Sequence, residues 1–509
     1  MSATATLDAA TPRTKESAWC PYPNLYEINT WIWLSELAAK YGRRVELSSV
    51  PAAEWDAIGA FGFDAVWLMG VWERSPIGVA TANQNDSLLR DFRRALPDFR
   101  SEDNVGSPYC VRNYVVDHHL GGPKGLAVAR EELATRGMKL ILDFVPNHVA
   151  PDHPWLTDHP EYFIRGTEVD LQRDPSAYMS LCGCVCACGR DPYFPAWPDV
   201  LQLNAFAPAL RNAVIETVLN IAEQCDGVRC DMAMLFLNSV FERTWGERAG
   251  RRPETEYWAD VIPAVKSRYP RFLFIAEAYW DLEWELQQLG FDFCYDKKLY
   301  DRLEHDNTEE VRLHLCADSS YQNKLLRFIE NHDEPRSAAM FASQVVRALA
   351  VTIATIPGAR LFYEGQFEGR KIRPPVFLAR RPEEHADKEL QSFYAELLQV
   401  ISRPVFRNGD WKLCERSGWP DNNSFQSVLA WTWDAGPERY VIAVNLSGHR
   451  AQARIRLSWA DLPGTQLRLS DVLSGATYDR RGDEMVLPGL YVDLGAWSYH
   501  FFECSTLHS

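Results

Sequence analysis

Four carboxylates stand at the ends of short apolar runs: Asp143 after KLIL, Asp231 in GVRCD, Glu277 in FLFIAE and Asp333 in ENHDEPR. A single carboxylate in such a place is ordinarily a loop cap. Four that converge can divide nucleophilic and acid–base work between them. Glycoside cleavage with retention needs two carboxyl groups about 5 Å apart, one ionised as nucleophile and one protonated as acid. Asp231 and Glu277 close consecutive runs, and residues on adjacent strands meet that spacing. Arg229 precedes Asp231 by two residues, so both side chains face the same way on an extended chain. A guanidinium there holds the aspartate in place and keeps it ionised; a purely structural ion pair is the alternative. His148 and His332 each adjoin an asparagine at the end of a run. Either alone reads as a structural histidine, whereas both together, beside the carboxylates, read as donors to sugar hydroxyls.

The elements that must position these groups are eight buried strands, at 25–30, 64–70, 139–144, 226–231, 272–277, 291–296, 325–331 and 358–363. Helical periods lie between them. At 208–224, Pro208 suits a first turn and Leu210, Val214, Val218 and Ile221 recur at helical spacing, and a helix near 124–136 stops at Gly137. Strands alternating with helices predict an α/β fold, a (β/α)8 TIM barrel, whose chemistry sits on loops at the carboxyl ends of the strands. The stretch after strand three is too long for a connection, which predicts an inserted subdomain at 149–204. The barrel then occupies 21–148 and 205–404. Beyond 405, the alternating runs SVLAWTW, RYVIAVNL and ARIRLSW, broken by Gly, Pro, Asn and Asp, predict a C-terminal β-sandwich domain over 405–509.

Composition excludes several classes of partner. A net charge of −16 repels phosphate backbones and anionic headgroups, and no apolar run is long enough to span a bilayer. Residues 1–20, MSATATLDAATPRTKESAWC, lack the apolar core of a secretion signal and read as a flexible tail on a cytoplasmic protein. Most cysteines, such as Cys230, Cys294 and Cys316, lie singly in apolar segments and read as free thiols. Cys182, Cys184, Cys186 and Cys188 alternate by two, which places all four thiols on one strand face. That reads as a small-residue strand; a soft-metal or redox role is the alternative.

The motifs DFVPNH (143–148), GVRCD (227–231), FIAE (274–277) and NHD (331–333) resemble those of the α-amylase superfamily, glycoside hydrolase family thirteen, in the family's order and at its strand positions. GSPYCVRNY (106–114), LQLN (201–204) and the C-terminal sandwich extend the resemblance. It implies that Asp231 is the nucleophile, that Glu277 is the general acid/base and that Asp333 binds ring hydroxyls. It also implies that Arg229, His148 and His332 complete the subsite of the cleaved sugar, with Asp143 bracing it and Tyr109 stacking on the sugar face. The residues agree with these roles. An exposed Asp231 beside Arg229 stays ionised, while Glu277, crowded by carboxylates, Tyr279 and Trp280, holds its proton to higher pH. Many members of the family bind calcium, often through the asparagine at the position of Asn147. A structural tie to the inserted subdomain suits Asn147 equally, and neither metal nor cofactor is assigned.

The sequence departs from starch-degrading endo-amylases after the nucleophile. Where they carry a Lys-His pair, this chain reads DMAMLFLN, and Met232, Met234, Leu235 and Phe236 are expected to pack into the barrel wall. DHPW (152–155) resembles the access loop of exo-acting α-glucosidases and transglycosylases. With PYFPAW (192–197), it is expected to close the mouth over one glucosyl unit. The eighth strand end, FYEGQFEGRK, leaves Glu364, Gln366 and Glu368 without assigned contacts. The reading is therefore an α-glucosidase-like enzyme acting on a short carbohydrate. Transfer or isomerisation through the same intermediate stays open. A non-catalytic barrel that binds sugar or a partner protein is the second class, and the presence of Asp231, Glu277 and Asp333 speaks against it.

Overall fold

The computed structural model describes residues 18–305 and 308–507. Eight parallel strands close into a barrel: β1 (Asn24–Asn29), β2 (Ala65–Met69), β3 (Lys139–Phe144), β4 (Gly227–Cys230), β5 (Leu273–Ala276), β6 (Phe293–Tyr295), β7 (Leu325–Arg327) and β8 (Ala359–Tyr363), each bonded to its sequence neighbours and β8 to β1. The strands read as near-continuous apolar runs because both faces are covered. Inside, Leu25, Trp67, Ile141, Ile275, Tyr295 and Leu361 pack against one another; outside, Val66, Leu68, Leu140, Leu142, Val228 and Phe274 meet the helices. The predicted seventh strand, 325–331, is laddered only over Leu325–Arg327. Beyond that point the chain turns toward the NHD motif.

The helix Pro208–Ala222 begins with proline, whose missing N–H costs nothing in a first turn, and buries Leu210, Val214, Val218 and Ile221. The helix Gly122–Thr135 precedes Gly137, whose φ of +75° lets the chain reverse into β3. At the foot of β4, a Cβ on Gly227 would lie 2.7 Å from that of Leu273. Only glycine lets β4 and β5 approach so closely.

After β3 comes a four-stranded antiparallel sheet, in the order His148–Val149, Trp197–Gln202, Cys184–Gly189 and Tyr178–Leu181. The expectation of four thiols on one strand face is corrected here. Leu181 pairs with Cys184, so Cys182 and Gly183 form the two-residue hairpin turn, both with positive φ. Cys182 is exposed at the tip, while Cys186 and Cys188 are buried.

The C-terminal region is a six-stranded antiparallel sheet facing a three-stranded one. Along Val428–Asp434 the alternation has two destinations. Val428 and Ala430 fill the space between the two sheets. Leu429, Trp431 and Trp433 join the core of the barrel domain, and the two indole N–H groups donate to Thr355 at the end of the helix Ser343–Thr355.

Residues 1–17 of the expected tail lie outside the described residues. Its last residues are anchored, contrary to expectation: Trp19 Nε1 donates to Arg271 O at 2.9 Å and Cys20 Sγ lies 3.6 Å from Arg407 O. All twelve cysteines are free. No helix among the described residues is long and apolar enough to cross a membrane.

Candidate active site

Register places the two central carboxylates. Cys230 pairs with Ala276 across β4 and β5, so the next residues, Asp231 and Glu277, leave the barrel level with each other. Backbone bonds hold both just past the ladder: Asp231 N–H donates to Phe144 O at 2.8 Å and Glu277 N–H to Cys230 O at 3.1 Å. Neighbouring strands run about 4.8 Å apart. Arg229, level with Asp143 on β3, spans the pair. Its Nη1 donates to Asp231 Oδ1 at 2.7 Å, and its Nη2 lies 2.8 Å from Glu277 Oε2 as an ion pair without hydrogen-bond alignment. The guanidinium packs against Trp67, Tyr109 and Tyr295 at 5.3–5.5 Å and its Nη2 lies 4.0 Å from Asp333. Burial opposes its charge, but Glu277 and its other neighbours outweigh burial and raise its pKa.

Glu277 is buried. Its carboxyl also accepts from Met232 N–H at 2.6 Å and from Tyr279 Oη at 2.7 Å. Met232 reaches it from the left-handed region, φ +43°, an uncommon backbone for a residue other than glycine. Burial, opposed by Arg229 and assisted by Asp231 and Asp333, pushes Glu277 up to about 7. Asp231 is buried, not exposed as expected, and burial raises its pKa against the pull of Arg229. The groups that cover the site, Tyr109 among them, come from segments distant in sequence.

Asp333 closes the group from β7, and its side chain is 42% exposed. Although the protein around it disfavours a charge on its carboxyl, His332 at 2.9 Å holds it down at about 2. Tyr109 stacks on His332 at 5.5 Å and its hydroxyl meets Nε2 at 2.6 Å. Asp143 accepts from Gly70 N–H at 2.8 Å and from Trp67 Nε1 at 3.1 Å; burial pushes it up to about 6. His148 is attached to this network less directly, through a hydrogen bond to the Tyr109 backbone and ring contact with Trp197, and burial lowers it to about 4. The structure thus joins Asp231, Glu277, Asp333, Arg229, His332 and Tyr109 in one network. Asp143 braces it from β3, and His148 lies at its edge.

Sequence reasoning missed Glu27 on β1, wholly buried with Oε1 2.5 Å from His332 Nδ1. The available signal was one acidic residue inside the apolar run LYEIN. Trp67 and Tyr295 were missed as well. Of the groups left unassigned, Glu364 pairs with Arg381, Gln366 bonds Tyr394, and Glu368 accepts from Gln391. They secure the end of β8. Met234, Leu235 and Phe236 are buried in a 3-10 turn and Met232 is half-buried. Trp155 packs on Tyr162, while Tyr193 and Phe194 are exposed and Tyr193 meets Trp280, from the loop after β5, at 4.8 Å.

Asn147 ties its loop to the inserted sheet. Its Oδ1 accepts from Gln202 Nε2 at 2.9 Å, its Nδ2 donates to Gln202 Oε1 at 3.2 Å, and its carbonyl accepts from Leu203 N–H. Among the described residues, Asp117, His118 and His119 are the group whose donors converge enough for a metal, and none is a predicted site residue. A cleft of about 1190 Å³ lined by Tyr22, Asn323, Pro357 and Trp411 lies where the barrel strands begin, away from these carboxylates.

A closed parallel barrel with clustered acids on its carboxyl-end loops has the architecture of a (β/α)8-barrel enzyme, whose chemistry sits at that end. The α-amylase catalytic-domain family matches residues 55–432, and the chain belongs to that family. It is 26% identical over 359 residues to an α-amylase of Haloarcula japonica, covering 67% of this chain and 44% of the relative. It is 28% identical over 243 residues to an α-1,4-glucan:maltose-1-phosphate maltosyltransferase of Rhodospirillum rubrum, covering 45% and 28%. The chain spans less than half the length of these curated relatives. In fold it is similar to a maltogenic α-amylase from Thermotoga neapolitana, with TM-score 0.67, 18% identity and coverage of 96% of this chain and 99% of the other.

Proposed function

We propose that the protein is a retaining enzyme that cleaves an α-glucosidic bond in a short saccharide or glucosyl conjugate. The observation that carries this reading is the pairing of Asp231 and Glu277, level on adjacent strands and bridged by Arg229. That closeness suits the separation of about 5–5.5 Å used by retaining enzymes. Asp231 attacks the anomeric carbon as the glycosidic C–O bond breaks, and Glu277 gives its proton to the departing oxygen. Water or another hydroxyl then attacks that carbon, returns a proton to Glu277 and frees Asp231. Asp333 and His332 hold ring hydroxyls, Tyr109 stacks on the sugar face, and His148 and Asp143 complete and brace the subsite.

Transfer is the second reading, favoured by the maltosyltransferases among the relatives. Free thiols suit a reducing, cytoplasmic setting. The contact of Tyr193 with Trp280 supports a mouth narrowed on the side of the inserted sheet. Activity is therefore expected to favour a disaccharide-sized α-glucoside over soluble starch by at least about tenfold in kcat/KM, or about 1.4 kcal/mol. A panel of α-linked disaccharides, sucrose, trehalose and glucosyl polyols, with products followed by NMR, tests this and separates hydrolysis from transfer. Preference for starch with mid-chain products overturns the short-substrate reading.

A further inference from the structure

His332 is gripped at both ring nitrogens. Nδ1 lies 2.5 Å from Glu27 Oε1, and Nε2 lies 2.9 Å from Asp333 Oδ2 and 2.6 Å from the Tyr109 hydroxyl. Trp67 meets the ring edge-on at 5.5 Å, so the imidazole cannot swing without displacing barrel core. Each carboxyl contact needs a proton on the nitrogen that makes it. A neutral imidazole has only one and would turn a bare lone pair toward one of the acids.

Glu27 shows that this grip is not ordinary packing. It is wholly buried on β1, yet only Oε1 has a hydrogen-bond partner and Oε2 has none. Burying a carboxyl is costly unless its oxygens are bonded. Glu330, a comparably buried glutamate, binds Arg336 through one oxygen and both the N–H and the hydroxyl of Ser337 through the other. Glu330 thus joins two segments. Glu27 instead spends its one hydrogen bond on a ring that faces the reaction.

We propose that Glu27 is a positioning residue of this reaction: by accepting a hydrogen bond from the Nδ1–H of His332 it keeps that ring protonated and commits the Nε2 proton to the pocket, held by Asp333 before a sugar arrives and shared with a ring hydroxyl afterwards. The proposal rests on the reading of Asp231 and Glu277 given above. The groups around the ring agree with it. Burial opposes a charge on His332, but Asp333 and Glu27 outweigh it and raise the imidazole to about 10. Arg229 lies beyond Asp333, Asp143 acts on the ring from β3, Tyr109 covers it, and Tyr295 and Tyr363 flank Glu27.

Glu27→Gln keeps the shape and removes the acid. With ring-labelled histidine, and His332→Asn to assign the signal, NMR of the wild type should show His332 protonated at pH 8. In Glu27→Gln the same ring should lose its proton below pH 8. kcat/KM should fall at least about tenfold, and Glu27→Asp, which keeps the charge, should hold the ring protonated at pH 8. Should Glu27→Gln not fold, a neutral ring in Glu27→Asp at pH 8 overturns the proposal and a protonated one supports it. A His332 that stays protonated at pH 8 in folded Glu27→Gln, with kcat/KM within twofold of wild type, overturns it as well. The NMR readout needs no substrate, so it decides the role of Glu27 even if an active Asp231→Asn variant overturns the mechanism.

Discussion

Two buried clusters in this barrel use the same residue types to different ends. At the mouth, Arg229 faces Asp231, Glu277 and Asp333, with His332 and Glu27 behind them. Between β6 and β7, Arg327 on β7 pairs with Asp296 at the end of β6, and His314 Nε2 lies 3.0 Å from the same carboxylate. In the second cluster one acid meets one guanidinium, and the remaining donors are spent. Arg327 also bonds Pro357 O and Gln322 O, Asp296 Oδ1 caps the helix Lys297–Glu304, and burial lowers His314 to about 4, leaving it neutral. In the first, carboxylates outnumber cations, Glu277 is raised to about 7, and Asp333 opens to solvent. A strand-end acid points to chemistry when it shares its cation with other acids, and to structure when the pairing is complete.

The sharpest break between the clusters is expected in turnover. Asp231→Asn and Glu277→Gln should each lower kcat by at least about a thousandfold while thermal unfolding stays close to wild type. Near-full activity in either would erase the distinction. Asp296→Ala should do the reverse. Leaving Arg327 buried without its partner should cost about 3–5 kcal/mol in denaturant unfolding, with kcat/KM unchanged in shape across pH at a temperature where the variant is folded.

The pH dependence sharpens the comparison further. A proton donor raised to about 7 works below that value, so kcat/KM should decline as pH rises through about 7. On a glucosyl fluoride, whose leaving group needs no proton, the wild-type enzyme should lose that limb; an unchanged limb would assign it to another group. Stability has a related sign. Folded Glu277 binds a proton that the unfolded chain has already released, so its contribution should diminish as pH rises from about 4.3 to about 7. The smallest effect is expected at the rim. Tyr193→Ala loses the contact with Trp280 and, with about 0.5–1.5 kcal/mol at stake, should raise KM about two- to tenfold on a disaccharide and leave kcat nearly unchanged.

Much of this was legible because strands buried on both faces are continuous apolar runs, so the acids that end them stand out. Asp231, Glu277 and Asp333 were readable in that way, as was the reach of Arg229 toward Asp231. Its second contact, with Glu277, was not, because it depends on the register of β4 against β5. The burial of Asp231 was missed for a similar reason. Glu27 has no informative neighbour in sequence, and only barrel closure brings it to His332, 305 positions away. The cysteine run was read as one strand because strict alternation hides a two-residue turn. Asp296 ends an apolar run as Asp231 does, and only its partners tell the two apart.

The central claim is that Asp231 carries the sugar. Incubating Glu277→Gln with an α-glucosyl fluoride lets the first step proceed while the second, deprived of its base, stalls. Mass spectrometry of the digested protein should then find one glucosyl residue on the peptide containing Asp231, absent when Asp231→Asn is added. An adduct on another peptide, or product of inverted anomeric configuration from the wild-type enzyme, would contradict the account.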